Sequence, residues 1–505
     1  MVFLLVFVLA GLWLLCSFNK TSGHREALLK AFLLFYGLLA VGTEILSFLN
    51  QINTGGLIVL WISSLLVISI LIWRKLASTS KPPIEAMGFR PIFRESSSAI
   101  LLTLLGLCVV FLTLTLITAL QAPPNNFDAM TYHMARVAHW IQNQNIRYYP
   151  TFIPRQNYSM PLAEFAVLHL QLLSRSDQYA NLVQWSSYLM SIVAASLIMG
   201  EYVPSKSLQA FTGLLVAATP MAILQSSNAQ NDLVVAAFCL SFFYFLMKLP
   251  DQKRPWGLVF TGLSFGLALM TKGTAYLYSC AIGLLLGGAY LLQKVAGEER
   301  KKRLVNLTLI VLIGLTINAG VYIRNWQLYG HPLSTGVERI LNEYFSLGVL
   351  GVNWVRNYSM HLGVPFPEIN ALMSARVEAL LGQAVNLPAA TFGEEQFSIP
   401  FLIHEDVAGN LPQLLGITAA FIGLPFLKKE RKQHGIILGA VVLLAALLYN
   451  GFIRWQPWAS RLHLPLFFLG VILIVFVFKN LLSRHSWMSW TAAGLLLIYS
   501  VPFLL

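Results

Sequence analysis

An acid, two histidines and an arginine occur together in 128-DAMTYHMARVAHW-140, directly after an apolar run of about 20 residues. A carboxylate in that place, Asp128, can accept the proton of an attacking hydroxyl group as a general base. The simpler interpretation is that Asp128 caps a helix, because Asp is a favoured capping residue. The residues around it decide between the two interpretations.

The polar residues near Asp128 predict a binding site. Their spacing predicts an amphipathic helix over 126–143 that lies flat on the outer membrane surface. The loop continues as 147-RYYPTFIPRQNYSMPLAEF-165, where prolines stiffen a backbone rich in Tyr, Asn, Gln and Arg. A plain connector does not need so many polar groups. The candidate substrate-binding residues, in this loop and in the later turn 226–232, are Tyr132, His133, Arg136, Arg155, Asn157, Glu164, Asn231 and Asp232.

Basic residues stand at the ends of several other apolar runs. They are Lys272, Arg324, Arg454 and Arg461. Each one alone is explained by a long side chain that reaches from the membrane to its surface. Several cations around one loop that carries an acid indicate instead a site for a lipid-borne phosphate, because Arg offers paired N–H donors and Lys a compact charge.

The composition is that of a polytopic membrane protein. Of 505 residues, 57% are hydrophobic and 11% are charged, whereas a soluble domain has about 25% charged residues. Apolar runs of about 20 residues must cross a bilayer as helices, and the alternation typical of barrel strands is absent. The predicted fold is therefore all-α, a transmembrane helical bundle of about fourteen spans with interfacial helices and outer loops.

Basic residues between the apolar runs set the predicted orientation. They fall on alternate connections, which are therefore predicted to be cytoplasmic, and this placement explains the net charge of +13 without any binding of nucleic acid. The long segments 121–178 and 324–410 then lie outside. The basic residues used are Arg74, Lys75, Arg90, Arg94, Lys253, Arg254 and those in 293–303 and 428–432.

The apolar runs and the connections between them divide the chain into four predicted segments. Residues 1–97 contain extra N-terminal spans and a cytoplasmic connector. Residues 98–323 form the catalytic membrane core, which includes the outer loop 121–178. Residues 324–410 form a large extracytoplasmic loop, and residues 411–505 form the C-terminal spans.

The motifs FDAMTYH, ARVAHW and RQNYSMPLAEF in the first outer loop are followed in order by QND, MTKGTAY, IRNW with LYGHPL, and R-HLPL. This order resembles the GT-C membrane glycosyltransferases over residues 98–480, in particular the branch of protein mannosyltransferases and aminoarabinose transferases. The resemblance implies transfer of a sugar from a polyprenyl-phosphate carrier to an acceptor on the non-cytoplasmic side, usually with inversion. It also implies that Asp128 is the general base and that Lys272 and Arg461 lie near the lipid phosphate.

The chain departs from this family at one point. Many members carry two adjacent acids in the first loop, whereas Ala129 follows Asp128 here. The need for a divalent cation is left undecided, since nothing in the sequence requires one. The predicted partners are a polyprenyl-phosphate-linked sugar donor, a glycan, lipid or protein acceptor, and the membrane. Short cytoplasmic connections favour the inner (plasma) membrane of a bacterium, with the active site on the extracytoplasmic side.

Two other functions remain open from the sequence. A flippase or other transporter of lipid-linked sugars would also have many spans, but it predicts paired halves and ionisable residues deep in the spans. A glycan polymerase or ligase would use the same chemistry with an oligosaccharide on the carrier. The polar residues gather at one membrane face, which favours chemistry at that face.

Overall fold

The computed structural model describes residues 1–18, 23–78, 99–251, 256–293, 297–333 and 340–504. Within these ranges the regular structure is helical, and the β contacts are three isolated bridges. The prediction of an all-α fold is confirmed. Several basic residues that set the predicted orientation lie outside the described residues, namely Arg90, Arg94, Lys253, Arg254 and Lys294.

The helices are numbered in chain order. Up to residue 247 they are α1 (Phe3–Ser17), α2 (His24–Phe48), α3 (Thr54–Ala77), α4 (Ala99–Gln121), α5 (Met134–Asn143, after a π-helical turn at Ala129–His133), α6 (Arg155–Tyr158), α7 (Leu162–Ser174), α8 (Leu182–Tyr202), α9 (Lys206–Ala217), α10 (Pro220–Gln225) and α11 (Asp232–Met247). They continue as α12 (Trp256–Thr271), α13 (Thr274–Ile282, followed by a π-helical turn at Gly283–Gly287), α14 (Gly288–Leu292), α15 (Gly297–Ile317), α16 (Ala319–Tyr329), α17 (Leu347–Ser359), α18 (Pro367–Leu381), α19 (Leu411–Gly423), α20 (Lys429–Phe452), α21 (Ala459–Leu462), α22 (Leu464–Arg484) and α23 (Ser486–Leu504).

Eight helical segments in the described part of the chain are long and apolar enough to cross a membrane. Helices α15 and α16 meet at an angle of 59° and would count as a ninth span if taken together. This set supports a multi-pass membrane protein, whereas the predicted number of about fourteen spans is not confirmed. The eight segments are α2, α3, α4, α8, α13 together with α14, α20, α22 and α23.

The difference comes from apolar runs that form shorter helices than a bilayer requires. Helices such as α1, α11 and α12 have 10–17 residues, and at about 1.5 Å per residue they fall short of the ~30 Å hydrocarbon core. The run 207–225 is interrupted, because Pro220 lacks an N–H group and begins a new short helix, α10. An apolar window in a sequence does not distinguish a short buried helix from a span.

Helix α11 is the enclosed centre of the bundle. All of its residues from Asp232 to Leu246 are buried, and it packs against α8, α12 and α22. A helix that is hydrophobic around its whole circumference is expected to be enclosed in this way. The packing fixes Asp232 at one end of the bundle and places Lys248 at the other.

Helices α2 and α3 are joined to the bundle through a buried histidine of α7. Trp61 Nε1 donates a hydrogen bond of 3.0 Å to His169 Nδ1, and His169 Nε2 lies 2.9 Å from Thr43 Oγ1. Because Nδ1 accepts, the proton of the neutral ring is on Nε2. His169 is fully buried, so it joins α2 and α3 to α7 through both of its ring nitrogens.

Two long segments meet at the end of the bundle where α4 ends and α11 begins. Residues 122–181 carry α5 to α7, and the predicted helix over 126–143 forms as a π-helical turn followed by α5. The later segment, up to residue 410, carries α17 and α18. It is held by the buried Arg356, whose Nη1 donates to Thr391 Oγ1 at 2.8 Å and to the Val385 carbonyl oxygen at 3.0 Å.

Candidate functional site

Asp128 turns its carboxylate toward two arginines and does not cap a helix. The cap is supplied by Asn126, whose Oδ1 accepts a hydrogen bond of 2.7 Å from the Ala129 N–H group, and the Asp128 side chain makes no capping bond. Arg461 Nη2 donates to Asp128 Oδ2 at 2.6 Å, and Arg155 Nη1 donates to Asp128 Oδ1 at 3.2 Å. The capping interpretation is therefore wrong, and both carboxylate oxygens contact cations.

The charges around Asp128 keep it ionised. Burial, which leaves the residue 6% exposed, raises the pKa of a carboxyl group. The charge of Arg461, with smaller contributions from His133 and Arg155, outweighs burial and holds the pKa of Asp128 below its ordinary value of 3.8. Burial likewise lowers the pKa of Arg461, but the charges of Asp128 and other nearby acids raise it above its ordinary value. Asp128 and Arg461 thus form an ion pair at neutral pH.

Arg461 joins three parts of the chain. It lies in the short helix α21, just before α22, and is 8% exposed. Its second terminal nitrogen, Nη1, donates to Asp406 Oδ1 at 2.9 Å. Asp406 belongs to residues 404–410, which we call the strap. The Ser460 hydroxyl next to Arg461 accepts a hydrogen bond from the Ala408 N–H group at 3.3 Å, which attaches the strap to α21.

A second ion pair lies beside Arg461. Lys272 occupies the break between α12 and α13, and its Nζ donates to Asp232 Oδ1 at 2.5 Å. Asp232 is the first residue of α11, where the free N–H groups of a helix favour a carboxylate. Burial lowers the pKa of Lys272, and the charge of Asp232 opposes this effect only in part. The charges of Asp128 and Arg461 also act on Lys272, so the two ion pairs form one cluster.

Behind Asp128, a buried group combines three of the predicted substrate-binding residues. Glu164 Oε1 accepts hydrogen bonds from Arg136 Nη1 at 3.1 Å and lies 2.7 Å from His133 Nδ1. Each of the three residues is 1% exposed. Arg136 Nη2 also donates to the Ser159 carbonyl oxygen at 2.9 Å. The group therefore ties α5 to α7 from inside, and it presents no surface to a ligand in this conformation.

The remaining predicted residues of the first loop, Tyr132, Arg155 and Asn157, have different contacts. The guanidinium of Arg155 lies 5.1 Å from the centre of the buried Tyr132 ring, and 39% of its side chain is exposed. Asn157 holds the backbone of the loop, because its Nδ2 donates a hydrogen bond of 2.8 Å to the Tyr149 carbonyl oxygen. Of these residues, Arg155 is the one that faces both Asp128 and open space.

Three further predicted residues are held by other partners. Asn231 Nδ2 donates to the Thr271 carbonyl oxygen at 3.3 Å and so stays next to Lys272. Arg324 forms a two-pronged ion pair with Glu44 of α2, at 2.7 and 2.8 Å. Arg454 donates to the Leu341 carbonyl oxygen at 2.7 Å and pairs with Glu343 at 3.2 Å. The ion pairs of Arg324 and Arg454 lie outside the group that Asp128, Arg461, Lys272 and Asp232 form.

The sequence interpretation missed Asp406 and a row of glutamines that reaches it. Asp406 was one of many acids in a long loop, with nothing local to single it out. Gln230 Nε2 donates to Asp406 Oδ1 at 2.7 Å, and Gln225 and Gln184 follow behind it. Uncharged amides inside an apolar bundle are the one available signal, because a buried polar side chain needs partners.

The acids of this site are paired with cations. Among the described residues, no three His, Cys, Asp or Glu side chains come together as ligands for a metal ion. What the cluster can do is hold an anion on Arg461 and Lys272 while Asp128 accepts a proton. This combination suits a reaction in which a hydroxyl group displaces a phosphate.

Comparison with known proteins relates part of the chain to a family of glycosyltransferases. Residues 161–323 match the family model described as dolichyl-phosphate-mannose-protein mannosyltransferase. The match spans 163 of the 505 residues, about a third of the chain, and includes Glu164, Asp232 and Lys272. It confirms the resemblance to GT-C enzymes and supports a membrane glycosyltransferase of this type. No curated protein and no solved structure matches the chain.

Proposed function

We propose that this chain, similar over residues 161–323 to dolichyl-phosphate-mannose-protein mannosyltransferases, transfers a sugar from a polyprenyl-phosphate carrier to an acceptor hydroxyl group. The transfer inverts the anomeric carbon, and Asp128 is the general base. The acceptor is a glycan, a lipid or a protein. The observation that carries the proposal is the ionised Asp128 held against Arg461, with a second ion pair beside it.

The reaction balances with these groups alone. The acceptor oxygen bonds to the anomeric carbon while the bond from that carbon to the carrier phosphate breaks, and the proton of the hydroxyl group moves to Asp128. A positioned base of this kind contributes about 10²- to 10⁴-fold. The departing phosphate gains a negative charge, which Arg461 and Lys272 stabilise. Phosphate leaves without a separate acid, unlike the sugar alcohol released in glycoside hydrolysis.

The low pKa of Asp128 fits a base that acts late in the reaction. A weakly basic carboxylate takes little of the proton until the new bond is nearly formed. As negative charge accumulates on the phosphate beside Arg461, that added charge raises the pKa of Asp128. Cleavage of the bond between the sugar and the carrier phosphate therefore makes Asp128 a stronger base at the stage when the proton is transferred.

The other predicted residues take supporting roles in this proposal. Arg155 and Tyr132 face the acceptor side of Asp128, and Asn231 and Asp232 orient Lys272. The buried residues His133, Arg136 and Glu164 hold α5 and α7 together next to Asp128. Asn157 fixes the shape of the loop. Arg324 and Arg454 contact the carrier only after leaving Glu44 and Glu343. The site lies on the extracytoplasmic side of an inner (plasma) membrane, and the four segments with limits at 97, 323 and 410 describe the chain.

The test is transfer by the purified chain. Synthetic polyprenyl-phosphate sugars in lipid nanodiscs are incubated with candidate hydroxyl acceptors, and released polyprenyl phosphate is measured together with the glycosylated product. We expect release that depends on the acceptor. In vesicles, movement of intact sugar-carrier across the bilayer without bond cleavage would indicate a flippase. Transfer of oligosaccharides only would indicate a polymerase or ligase.

A further inference from the structure

Two donors converge on one oxygen of Asp406. Arg461 Nη1 donates to Asp406 Oδ1 at 2.9 Å, and Gln230 Nε2 donates to the same oxygen at 2.7 Å. Arg461 is 8% exposed and Gln230 is 1% exposed. A charged donor and an amide donor, both on buried side chains, are suited to bind one oxygen of a phosphate group.

A row of buried amides fixes the direction of the Gln230 side chain. The N–H group of Leu233, in the first turn of α11, donates to Gln184 Oε1 at 2.8 Å. Gln184 Nε2 donates to Gln225 Oε1 at 2.7 Å, and Gln225 Nε2 donates to Gln230 Oε1 at 2.6 Å. Because a backbone N–H group can only donate, Gln184 must offer its oxygen there, and each amide after it is oriented in turn. Gln230 is thereby left with its NH₂ group directed at the anion.

This row also carries the electrostatic character of a helix N-terminus to the site. The first N–H groups of α11 form the positive end of the helix dipole. Each amide in the row points its oxygen toward that end and its NH₂ group toward Asp406. Aligned hydrogen bonds of this kind strengthen one another in a buried environment. The row therefore builds a donor for an anion several side chains away from the helix that orients it.

Asp406 is the acid of the cluster best able to leave. Its side chain is 20% exposed, compared with 9% for Asp128 and 1% for Asp232. The strap is anchored behind it, where Ala408 and Asn410 are buried. Ahead of it, His404 is 60% exposed at its side chain. The Asp406 side chain can therefore turn away while 408–410 stay in place and the Glu405 carbonyl oxygen keeps its hydrogen bond of 2.6 Å from Gln225 Nε2.

The charges of the cluster favour such an exchange. In these ion pairs Arg155, Lys272 and Arg461 face the three acids Asp128, Asp232 and Asp406, so the paired cations and the paired acids are equal in number. While the three acids stay in place, each of the three cations is already paired with a carboxylate. If Asp406 leaves, one positive charge is uncovered and a phosphodiester of charge −1 restores the balance.

We propose that Arg461 Nη1 and Gln230 Nε2 form the subsite for the carrier's phosphate, and that Asp406 of the strap occupies this subsite until the carrier displaces it. The inference rests on the proposed function, because the phosphate is that of the sugar donor. It adds Gln230 as a phosphate-binding residue, Gln184 and Gln225 as its positioning residues, and Asp406 as an internal competitor.

Two substitutions shift carrier affinity in opposite directions. Asp406→Asn removes the competing charge and keeps an oxygen for Gln230, so polyprenyl phosphate should bind at least about tenfold more tightly. Gln230→Met removes one donor, so binding should weaken by about tenfold. Asp177 and Gln178 are exposed and adjacent in the sequence. The substitutions Asp177→Asn and Gln178→Met are therefore matched controls, which should leave the affinity for polyprenyl phosphate unchanged. The measurement is equilibrium binding of labelled polyprenyl phosphate to the full chain in nanodiscs, with inorganic phosphate as a second probe.

The outcomes separate this inference from the proposed function. If the wild type binds polyprenyl phosphate and the affinity of Asp406→Asn is unchanged or weaker, the inference is overturned. The proposed function then stays in place. Unchanged affinity in Gln230→Met would do the same. If the two substitutions change the affinity for inorganic phosphate as much as the affinity for polyprenyl phosphate, the ligand of the subsite is a free anion and the inferred role of the carrier is overturned. Absence of polyprenyl phosphate binding in the wild type and in both variants would overturn the proposed function as well.

Discussion

Helix α11 has an ionic cluster at each end, and the two clusters differ in what holds them. At the start of α11, Asp232 belongs to the group around Arg461. Just after its end, Lys248 Nζ contacts Glu26 at 3.2 Å and Glu201 at 3.1 Å. The Tyr244 hydroxyl group also donates to Glu26 Oε2 at 2.8 Å. Both clusters place several charges in a largely apolar bundle.

The two clusters draw on different kinds of chain segment. The residues around Glu26 lie on α2, α8 and α11 or directly after α11, so packed helices fix them. The cluster around Arg461 takes Asp128, Arg155 and Asp406 from loops or short turns, and Asp406 keeps part of its side chain exposed. Charges on rigid helices stabilise a structure. Charges that loops bring to one buried arginine can exchange partners, which is what binding a charged substrate needs.

The largest contrast is expected from removing the central cation at each end. Arg461→Met should weaken binding of polyprenyl phosphate by about 10- to 100-fold, because a charged hydrogen bond contributes roughly 1.5–3 kcal/mol. Lys248→Met should leave this affinity unchanged. Carrier binding in nanodiscs measures both variants, with thermal unfolding in parallel. The contrast fails if Arg461→Met loses thermal stability in proportion to its loss of affinity, since Arg461 would then be structural.

A second contrast concerns the acid at the other end. Glu26→Gln should lower the free energy of unfolding by about 1–3 kcal/mol, because Glu26 is buried and bonded to Lys30 at 2.6 Å as well as to Lys248. The turnover of the folded fraction should stay at the wild-type value. Denaturant unfolding and the sugar-transfer assay give the two numbers. A turnover that falls while stability holds would place function at both ends of α11.

The smallest effect is a shift of a pH profile. The pKa of Asp128 lies below its ordinary value, so the stability that its ion pairs contribute is present above the unfolded pKa of about 3.9 and is lost as pH falls through the folded pKa. Activity should show no acid limb from Asp128 near neutral pH. Arg155→Met removes one of the charges that lower this pKa, so the acid limb of kcat/KM should move to higher pH. An unmoved limb would show that Arg155 does not act on Asp128.

The sequence predicted much of this arrangement where local pattern decides the outcome. The apolar runs predicted an all-α membrane bundle, and the motifs around Asp128, Lys272 and Arg461 predicted residues that the structure brings together. The predicted number of spans was not confirmed, because hydropathy does not report how long a helix continues. The run that became α9 and α10 shows this, since only the break at Pro220 separates them.

Long-range pairing was beyond reach of a single sequence. Nothing near Arg324 points to Glu44, which lies 280 residues away and takes both of its terminal nitrogens. In the same way, Asp406 and Gln230 are 176 positions apart. Such contacts depend on how the helices pack. The spacing of residues along the sequence does not show which helices pack together.

The assignment of Asp128 as the general base is tested by the turnover of Asp128→Asn under saturating donor. The substitution keeps the size of the side chain and removes its basicity, with Asp177→Asn as the matched control. This assignment predicts a fall in kcat of about 10²- to 10⁴-fold in a variant that stays folded and still binds polyprenyl phosphate. Wild-type turnover in Asp128→Asn would contradict it, as would a loss of carrier binding as large as the loss of turnover.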